Sequence, residues 1–240
     1  MSGVLYGVGL GPGDPELMTL KSARVLREAK VVAYFSRRGS ASRARSIAGG
    51  FLHAGQEEIP LAYPVTTEFP AGDARYAPLM EAFYQEAAGA LATRLSAGQD
   101  IAVLCEGDPF FYGSFMHLHI RLADRFECRV VPGVTGMSGC WTAAGTPMVW
   151  GSEVLCVLPG TLPTAVLAER LKGTDAAALM KLGRNLPRVR EALAQAGLLE
   201  RAIYVEYGST PQERVVRMVE KTDDVAPYFS IILVPGKGNA

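Results

Sequence analysis

The sequence predicts an α/β fold built from two α/β domains, and three observations lead to that prediction. Short apolar runs alternate with segments of helical periodicity along all 240 residues. Several of these runs end in glycine- or proline-containing loops, as strands of parallel sheets do. The length exceeds one average domain and suits two small ones. We therefore expect domains at residues 1–115 and 116–240, the first with a mainly parallel sheet and the second with a mixed sheet.

In the first half, apolar runs predict strands at residues 4–8, 31–35, 58–61 and 101–105. A helix is predicted at residues 20–28, with Thr19 as its N-cap. A longer helix is predicted at residues 73–97, where Gly98 ends it. The strand at residues 101–105 is apolar throughout, which indicates burial on both of its faces.

In the second half, strands are predicted near residues 129–131, 154–158, 178–182 and 203–206, with helices between them. Residues 213–219 then alternate between polar and apolar side chains, and residues 230–234 form a further apolar run. We expect these last two segments to pair antiparallel, which makes the second sheet mixed.

The balance of charges argues against some classes of binding partner. Lysine plus arginine equal aspartate plus glutamate at 24 each, so no net field attracts the protein to nucleic acid or to a membrane. The start of the chain lacks the pattern of a signal peptide, and no apolar run approaches the roughly 20 residues of a membrane span. We expect a cytoplasmic protein without nucleic-acid or membrane partners.

No metal site is predicted. The cysteines (Cys105, Cys128, Cys140 and Cys156) are widely spaced and include no C-x-x-C pair. They are interpreted as free thiols that pack as small apolar side chains. His117 and His119 are two residues apart on an expected helix, a spacing that places them on different flanks.

The first motif, G-V-G-L-G-P-G-D-P-E at residues 7–16, directly follows the first strand. Glycines there allow a close backbone approach to a ligand. A dinucleotide-binding fingerprint is excluded because Pro12 occupies its third glycine position, because the helix begins several residues too late, and because the second strand ends without an acidic residue. A plain turn remains the alternative.

The second motif, C-E-G-D-P-F-F-Y-G-S at residues 105–114, follows another apolar strand. Asp108 precedes a proline, which favours an extended or turn conformation. Gly107 and Gly113 bracket the loop, and the combination suits a polar ligand of the size of adenosine at the edge of a sheet. The alternative is an aromatic loop that only packs. Two further segments, residues 131–140 and 179–187, are weak signals singly.

Taken in order, the two motifs, P-G-V-T at residues 132–135, V-L-P-G-T at 157–161 and M-K-L-G-R-N at 180–185 resemble the tetrapyrrole methylase family over nearly the whole chain. Within it, E-G-D-P-F-F-Y-G-S-F and K-L-G-R-N-L-P are most similar to the branch that methylates carbon 20 of precorrin-2. The uroporphyrinogen methylases carry a G-G-G-D-P-F loop instead.

This resemblance implies a homodimer of two-domain chains, with S-adenosyl-methionine bound in the cleft between the domains. By the motifs that match, the implied donor-binding residues are Pro12, Glu106, Gly107, Asp108, Phe111, Gly113, Ser114, Thr135, Gly136, Met180, Lys181, Tyr207, Gly208 and Ser209. Thr135-Gly136 and the turn at residues 207–209 depart from the family pattern, so Gly136 and Tyr207 are the assignments placed in doubt.

The implied chemistry agrees with the lack of a Ser/His/Asp constellation. A sulfonium methyl group is already activated, and the protein mainly aligns donor and acceptor, an effect worth up to roughly 7–11 kcal/mol. No catalytic acid or base is identified, and Asp108 is the nearest candidate. One group must accept the proton that leaves the methylated carbon.

Four arginines, Arg37, Arg38, Arg43 and Arg45, fall within nine residues of an otherwise neutral chain. Tetrapyrrole precursors carry many carboxylates, which guanidinium groups bind in a bidentate manner. The cluster therefore predicts substrate binding, with a solvated loop as the competing interpretation. The sequence is also compatible with the cobalt-containing substrate, a different tetrapyrrole carbon, a non-tetrapyrrole target as in diphthine synthase, or a non-catalytic tetrapyrrole-binding protein.

Overall fold

A computed structural model describes residues 2–66, 69 and 73–238. The chain divides into two compact units, Met1–Thr135 and Gly136–Ala240. The predicted boundary lies after residue 115, whereas this division lies after residue 135. The physical reason is strand pairing, since the last strand of the first unit, Cys128–Val131, pairs with the first strand of the chain.

The first unit is a parallel sheet with helices between its strands. Its elements are β1 (Leu5–Gly9), α1 (Leu20–Glu28), β2 (Val31–Arg37), α2 (Arg43–Ala48), β3 (Glu57–Tyr63), α3 (Tyr76–Ser96), β4 (Ile101–Cys105), α4 (Phe115–Leu122) and β5 (Cys128–Val131). The strand order is β3-β2-β4-β1-β5, and every pairing is parallel. All five carboxyl ends therefore lie along one edge of the sheet.

Side chains along the strands point alternately to the two faces of the sheet and fill a hydrophobic core on each face. Leu5, Ala33 and Val103 lie in the core shared with α3 and α4. Val32 and Leu104 lie in the core on the other face, shared with α1 and α2. The central strand β4 is buried at all five of its residues, as its uninterrupted apolar run predicts.

The second unit is a mixed sheet. Its elements are α5 (Gly136–Ala143), β6 (Leu155–Pro159), α6 (Thr164–Lys172), β7 (Ala176–Met180), α7 (Leu186–Gln195), β8 (Ile203–Glu206), β9 (Arg214–Arg217) and β10 (Ser230–Val234). The strand order is β6-β7-β10-β8-β9, in which only β6 and β7 pair parallel. One face packs on α6 and α7, and the other packs on α5.

The predicted pairing between the last two strands is wrong, although the prediction of a mixed sheet is confirmed. β10 lies between β7 and β8, and β9 pairs with the opposite edge of β8. Burial accounts for this order. β10 is buried at all five residues and fits the centre of the sheet, whereas β9, with three exposed residues of four, fits its edge.

Two further differences bear on the site. Helix α2 was not predicted, and it begins inside the arginine- and serine-rich stretch because the Ser42 hydroxyl accepts a hydrogen bond from the amide of Arg45. Strand β7 ends at Met180, before the predicted residue 182, because Lys181 has a positive φ of 57°. Within the described part of the chain, no helix is long and apolar enough to cross a membrane.

Candidate functional site

Backbone hydrogen bonds join the loop after β1 to the loop after β4, immediately beyond the carboxyl ends of the two strands. The Leu10 amide donates to the carbonyl of Cys105 at 2.9 Å, and the Gly107 amide donates to the carbonyl of Gly11 at 2.8 Å. Gly11 and Gly107 form an antiparallel bridge between the two loops. The first and second motifs of the sequence thus form one continuous backbone surface at the centre of the sheet edge.

Glycines make this close approach possible. A Cβ on Gly9 would lie 2.6 Å from the nitrogen of Gly133, and a Cβ on Gly133 would lie 2.1 Å from the carbonyl oxygen of Gly107. Gly107 itself has φ 64°, in the region that favours glycine. The loops after β1, β4 and β5 therefore pack backbone against backbone, and any side chain at these positions would separate them.

Asp108 connects two of these loops. Its carboxylate accepts the amide of Phe110 at 2.8 Å through Oδ1 and the amide of Gly133 at 3.0 Å through Oδ2. Both oxygens thus have backbone donors, which is typical of a residue that positions a loop. The sequence made Asp108 the nearest catalytic candidate, whereas this geometry favours a positioning role.

Ser114 belongs to an aromatic group at the other side of the edge. Its hydroxyl lies 2.6 Å from the hydroxyl of Tyr63, at the end of β3, and 3.1 Å from that of Tyr84 on α3. Tyr63 stacks on Phe35 at 5.4 Å between ring centroids. The Tyr84 ring stacks on His117 at 4.0 Å. The Ser114 hydroxyl therefore faces the ends of β2 and β3.

Three other predicted residues of this edge line the same loops. Pro12 is half-buried between Gly11 and Gly13, whose φ angles are 79° and 150°. Phe111 is half-buried next to Tyr112, and a Cβ on Gly113 would lie 2.9 Å from the carbonyl oxygen of Pro109. Sequence reasoning did not select Gly9, Gly133, Tyr63 and Tyr84. Gly9, Gly133 and Tyr63 follow predicted strands, which was a usable signal, whereas Tyr84 lies inside the long helix α3 and carried no such signal.

Glu106 lies between the glycine loops and the arginine-bearing helix. It is partly buried, and burial raises the pKa of its carboxyl group from 4.5 to about 6. The neighbouring charge of Arg43 and a backbone hydrogen bond with Ala44 act in the opposite direction and lower this pKa. Glu106 thus connects the second motif with the first turn of α2.

The raised pKa predicts a pH-dependent stability. The folded chain binds the Glu106 proton more tightly than the unfolded chain, so ionisation of Glu106 lowers the free energy of unfolding as the pH rises from about 4.5 to above 6. Replacing Glu106→Gln should therefore raise the free energy of unfolding at pH 7.5 by about 1–2 kcal/mol and change it little at pH 4.5.

Calorimetric unfolding of the wild type and the variant at both pH values measures this difference. Glu28→Gln is the matched control, because Glu28 is exposed on α1 and pairs only at the surface with Arg24. A Glu106→Gln variant that is less stable than the wild type at pH 7.5 would contradict the prediction.

The structure separates the four arginines. Arg37 ends β2, Arg38 is exposed in the turn that follows, and Arg43 opens α2 near Glu106. The guanidinium of Arg45 instead donates to both carboxylate oxygens of Glu58 on β3, each at 2.9 Å. This ion pair lowers the pKa of Glu58 and occupies the fork that a substrate carboxylate would need. The Arg45 fork is therefore engaged within the protein, and the substrate-binding roles of the four arginines stay predictions.

In the second unit the predicted residues occupy strand ends and a helix start. Gly136 begins α5, directly after Thr135, and the carbonyl of Met180 accepts the amide of Gly160. Gly208 is buried, and a Cβ there would lie 2.9 Å from the Sγ of Cys140. The Ser209 hydroxyl donates to the carbonyl of Gly139 at 3.3 Å.

Strained backbone conformations occur in the loops that carry predicted donor-binding residues. In the described part of the chain, the non-glycine residues with positive φ are Tyr112, Lys181, Tyr207 and Ser209, with φ between 50° and 62°. Each such conformation costs about 1–2 kcal/mol. Three of these residues were predicted to bind the donor, and the fourth lies in the second motif. Strain of this kind concentrates at functional sites, which supports a functional role for these turns.

No set of three or more His, Cys, Asp or Glu side chains among the described residues is arranged to hold a metal ion. The four cysteines are free, and Cys105 and Cys140 are buried. Burial raises the pKa of the Cys140 thiol to about 12, so the thiol is neutral at physiological pH.

Comparison with known proteins assigns the fold and the loops to a family. The profile described as "Tetrapyrrole (Corrin/Porphyrin) Methylases" matches residues 4–222. The chain belongs to this family. The resemblance inferred from the motifs is therefore confirmed.

Individual relatives agree with this family. The chain is 52% identical over 240 residues to a Sinorhizobium protein named "Precorrin-2 C(20)-methyltransferase", with 98% of each chain covered. It is 31% identical to "Cobalt-precorrin-2 C(20)-methyltransferase" of Salmonella typhimurium, covering 98% of this chain and 97% of the relative. A uroporphyrin-III C-methyl transferase from Thermus thermophilus, solved with S-adenosyl homocysteine, superposes with a TM-score of 0.64 at 25% identity and 98% coverage of both chains.

Proposed function

We propose that this chain transfers the methyl group of S-adenosyl-methionine to carbon 20 of precorrin-2 and so makes precorrin-3A for cobalamin biosynthesis. The observation that carries the proposal is the 52% identity, over 98% of both chains, to a relative that bears this activity in its name. The donor is supported by family membership and by the homologous structure that contains S-adenosyl homocysteine.

The first unit fits a donor of this kind. Its glycine loops present bare backbone around Gly11, Gly107 and Gly133, where a Cβ is sterically excluded or φ is positive. Bare backbone lets amide and carbonyl groups approach a polar ligand closely. When bound, S-adenosyl-methionine supplies a methyl group on positively charged sulfur, so the loops need only align and desolvate it.

The geometry supports the following roles for individual residues. Pro12, Gly107 and Phe111 are proposed to line the donor, and Asp108 holds their loops together through its two backbone hydrogen bonds. The Ser114 hydroxyl is hydrogen-bonded to Tyr63 and Tyr84. We therefore propose that Ser114 lines the site and does not bind the donor through its hydroxyl. The donor contacts predicted at the remaining positions stay predictions: Glu106, Gly113, Thr135, Gly136, Met180, Lys181, Tyr207, Gly208 and Ser209.

The second candidate substrate is the cobalt-containing counterpart of precorrin-2. The 31% identity to the Salmonella typhimurium relative is the observation in its favour. The higher identity to the Sinorhizobium protein favours the metal-free substrate.

The deciding experiment incubates the chain with methyl-labelled S-adenosyl-methionine and either metal-free or cobalt-containing precorrin-2. We expect one label per tetrapyrrole by mass spectrometry, located at carbon 20 by NMR, and faster turnover of the metal-free substrate. A label on another carbon would contradict the proposed position. No transfer, combined with no binding of S-adenosyl homocysteine by calorimetry, would favour a non-catalytic tetrapyrrole-binding protein.

A homodimer and a cytoplasmic location complete the proposal. The dimer rests on the family resemblance, and a monomer at micromolar concentration in sedimentation would contradict it. The cytoplasmic location stays a prediction.

A further inference from the structure

We propose that the carboxylate of Glu106 accepts the proton that leaves carbon 20 after the new methyl group is attached, an inference that rests on the proposed function. Carbon 20 supplies the electron pair of the new bond, and the electrons of the carbon–sulfur bond leave with sulfur. Carbon 20 then carries both a methyl group and a hydrogen. As Glu106 takes the proton, the carbon–hydrogen electrons return to the conjugated ring and a neutral carboxyl group remains.

The position of Glu106 suits this role. It directly precedes Gly107, whose amide and carbonyl join the loops after β1 and β4. On its other side it has a backbone hydrogen bond with Ala44, and the charge of Arg43 at the start of α2 acts on it. Glu106 therefore lies between the loops proposed to hold the donor and the segment proposed to hold the acidic substrate. The reacting carbon must lie between the same two features.

Three other carboxylates near this edge are engaged in holding structure, and Glu16 at the end of the first motif is exposed to solvent. Asp108 has backbone donors on both oxygens, Asp14 caps a short 3-10 helix, and Glu58 is held by both nitrogens of the Arg45 fork. Glu106 has one backbone partner and one neighbouring charge, so it is better able to receive a proton than Asp108, Asp14 or Glu58.

The acidity of Glu106 also fits a proton acceptor. Such a group works best when its pKa is near the working pH, and burial raises the pKa of Glu106 to about 6. The charge of Arg43 and the backbone of Ala44, both on α2, act on the Glu106 carboxylate. The charge of Glu106 in turn acts on the Cys105 thiol at the end of β4. Burial also raises the pKa of Cys105, so this thiol stays neutral and does not compete as a base.

The test compares Glu106→Gln, Glu106→Asp and Glu28→Gln in single turnovers with methyl-labelled S-adenosyl-methionine and metal-free precorrin-2. We expect Glu106→Gln to lower the rate constant by about 10²–10⁴-fold, Glu106→Asp to restore part of it, and Glu28→Gln to match the wild type. The affinity for S-adenosyl homocysteine, measured by calorimetry, should stay within about threefold in all variants. That affinity also reports whether each variant is folded.

Two further readouts separate proton removal from positioning. The wild-type rate constant should fall about tenfold per pH unit below the pKa of about 6, and the profile of Glu106→Gln should be flat there. Deuterium at carbon 20 should slow Glu106→Gln more than the wild type, because proton removal then limits the rate.

The outcomes are distinct from those of the proposed function. If the wild type places no methyl group on carbon 20, the proposed function fails first. If the wild type does so and Glu106→Gln keeps its rate and pH profile, only this inference is overturned. Weaker binding of S-adenosyl homocysteine with an unchanged rate at saturation would also overturn it, since Glu106 would then be a donor contact.

Discussion

Replacing Gly133→Ala should open the loops of the first unit, with an expected destabilisation of about 1–3 kcal/mol. The added Cβ would lie 2.1 Å from the carbonyl oxygen of Gly107 and 3.0 Å from the Cα of Gly9. Both are backbone atoms, so relief requires the loops after β1, β4 and β5 to separate. Because the donor is proposed to bind on these loops, we expect its affinity to fall at least about tenfold, or about 1.4 kcal/mol.

The measurement must report on the first unit. The two tryptophans, Trp141 and Trp150, both belong to the second unit, so their fluorescence is unsuitable. Hydrogen exchange of the Leu10, Gly107 and Gly133 amides reports on the loops directly, since each amide donates across a loop contact. Calorimetry with S-adenosyl homocysteine gives the change in affinity.

Gly89→Ala provides a control with the opposite sign. Gly89 is exposed in the middle of α3, and a Cβ there meets nothing within 4 Å. Alanine is favoured over glycine in a helix by about 0.5–1 kcal/mol, so this variant should be slightly more stable and bind normally. The same behaviour in Gly133→Ala would show that the loops tolerate a side chain and would contradict the predicted steric effect.

The second large effect concerns the arginines. If Arg37, Arg38 or Arg43 binds a carboxylate of the substrate, its replacement by glutamine should raise the KM for the tetrapyrrole about 10–100-fold. This range corresponds to about 1.5–3 kcal/mol for a charge-assisted hydrogen bond. Raising the ionic strength should weaken substrate binding by the wild type and weaken it less in these variants. The affinity for S-adenosyl homocysteine should not change.

Arg45→Gln is the matched control for this series. Its guanidinium already pairs with both oxygens of Glu58 at the surface, so we expect little change in KM and a loss of stability of only about 0–1 kcal/mol. Arg43 differs from Arg37 and Arg38 because it also lies near Glu106, so Arg43→Gln should change kcat as well as KM. Unchanged KM values in all four variants would indicate a solvated loop.

The sequence by itself determined where the buried strands and the first helix lie, and that the fold is α/β. The apolar runs at residues 101–105, 203–206 and 230–234 coincide with β4, β8 and β10, because a buried strand must be apolar at nearly every position. Helix α1 coincides with residues 20–28, where Thr19 accepts the amide of Ser22 as the predicted cap. Local signals of this kind depend on neighbouring residues alone. The family was also readable, because five motifs occur in a fixed order.

Only the tertiary structure decided which strands pair and which side chains are engaged. The place of β9 beside β8 depends on which strand takes the buried centre of the sheet, and no local pattern records that competition. From the sequence, Asp108, Ser114 and Arg45 are candidates for binding a ligand. In the structure each is hydrogen-bonded to a distant residue: Gly133, Tyr63 and Glu58 are 25, 51 and 13 residues away, respectively. Hydrogen bonds across such separations arise when parallel strands bring their carboxyl ends to one edge. Folding therefore determines which of these groups remain able to bind a ligand.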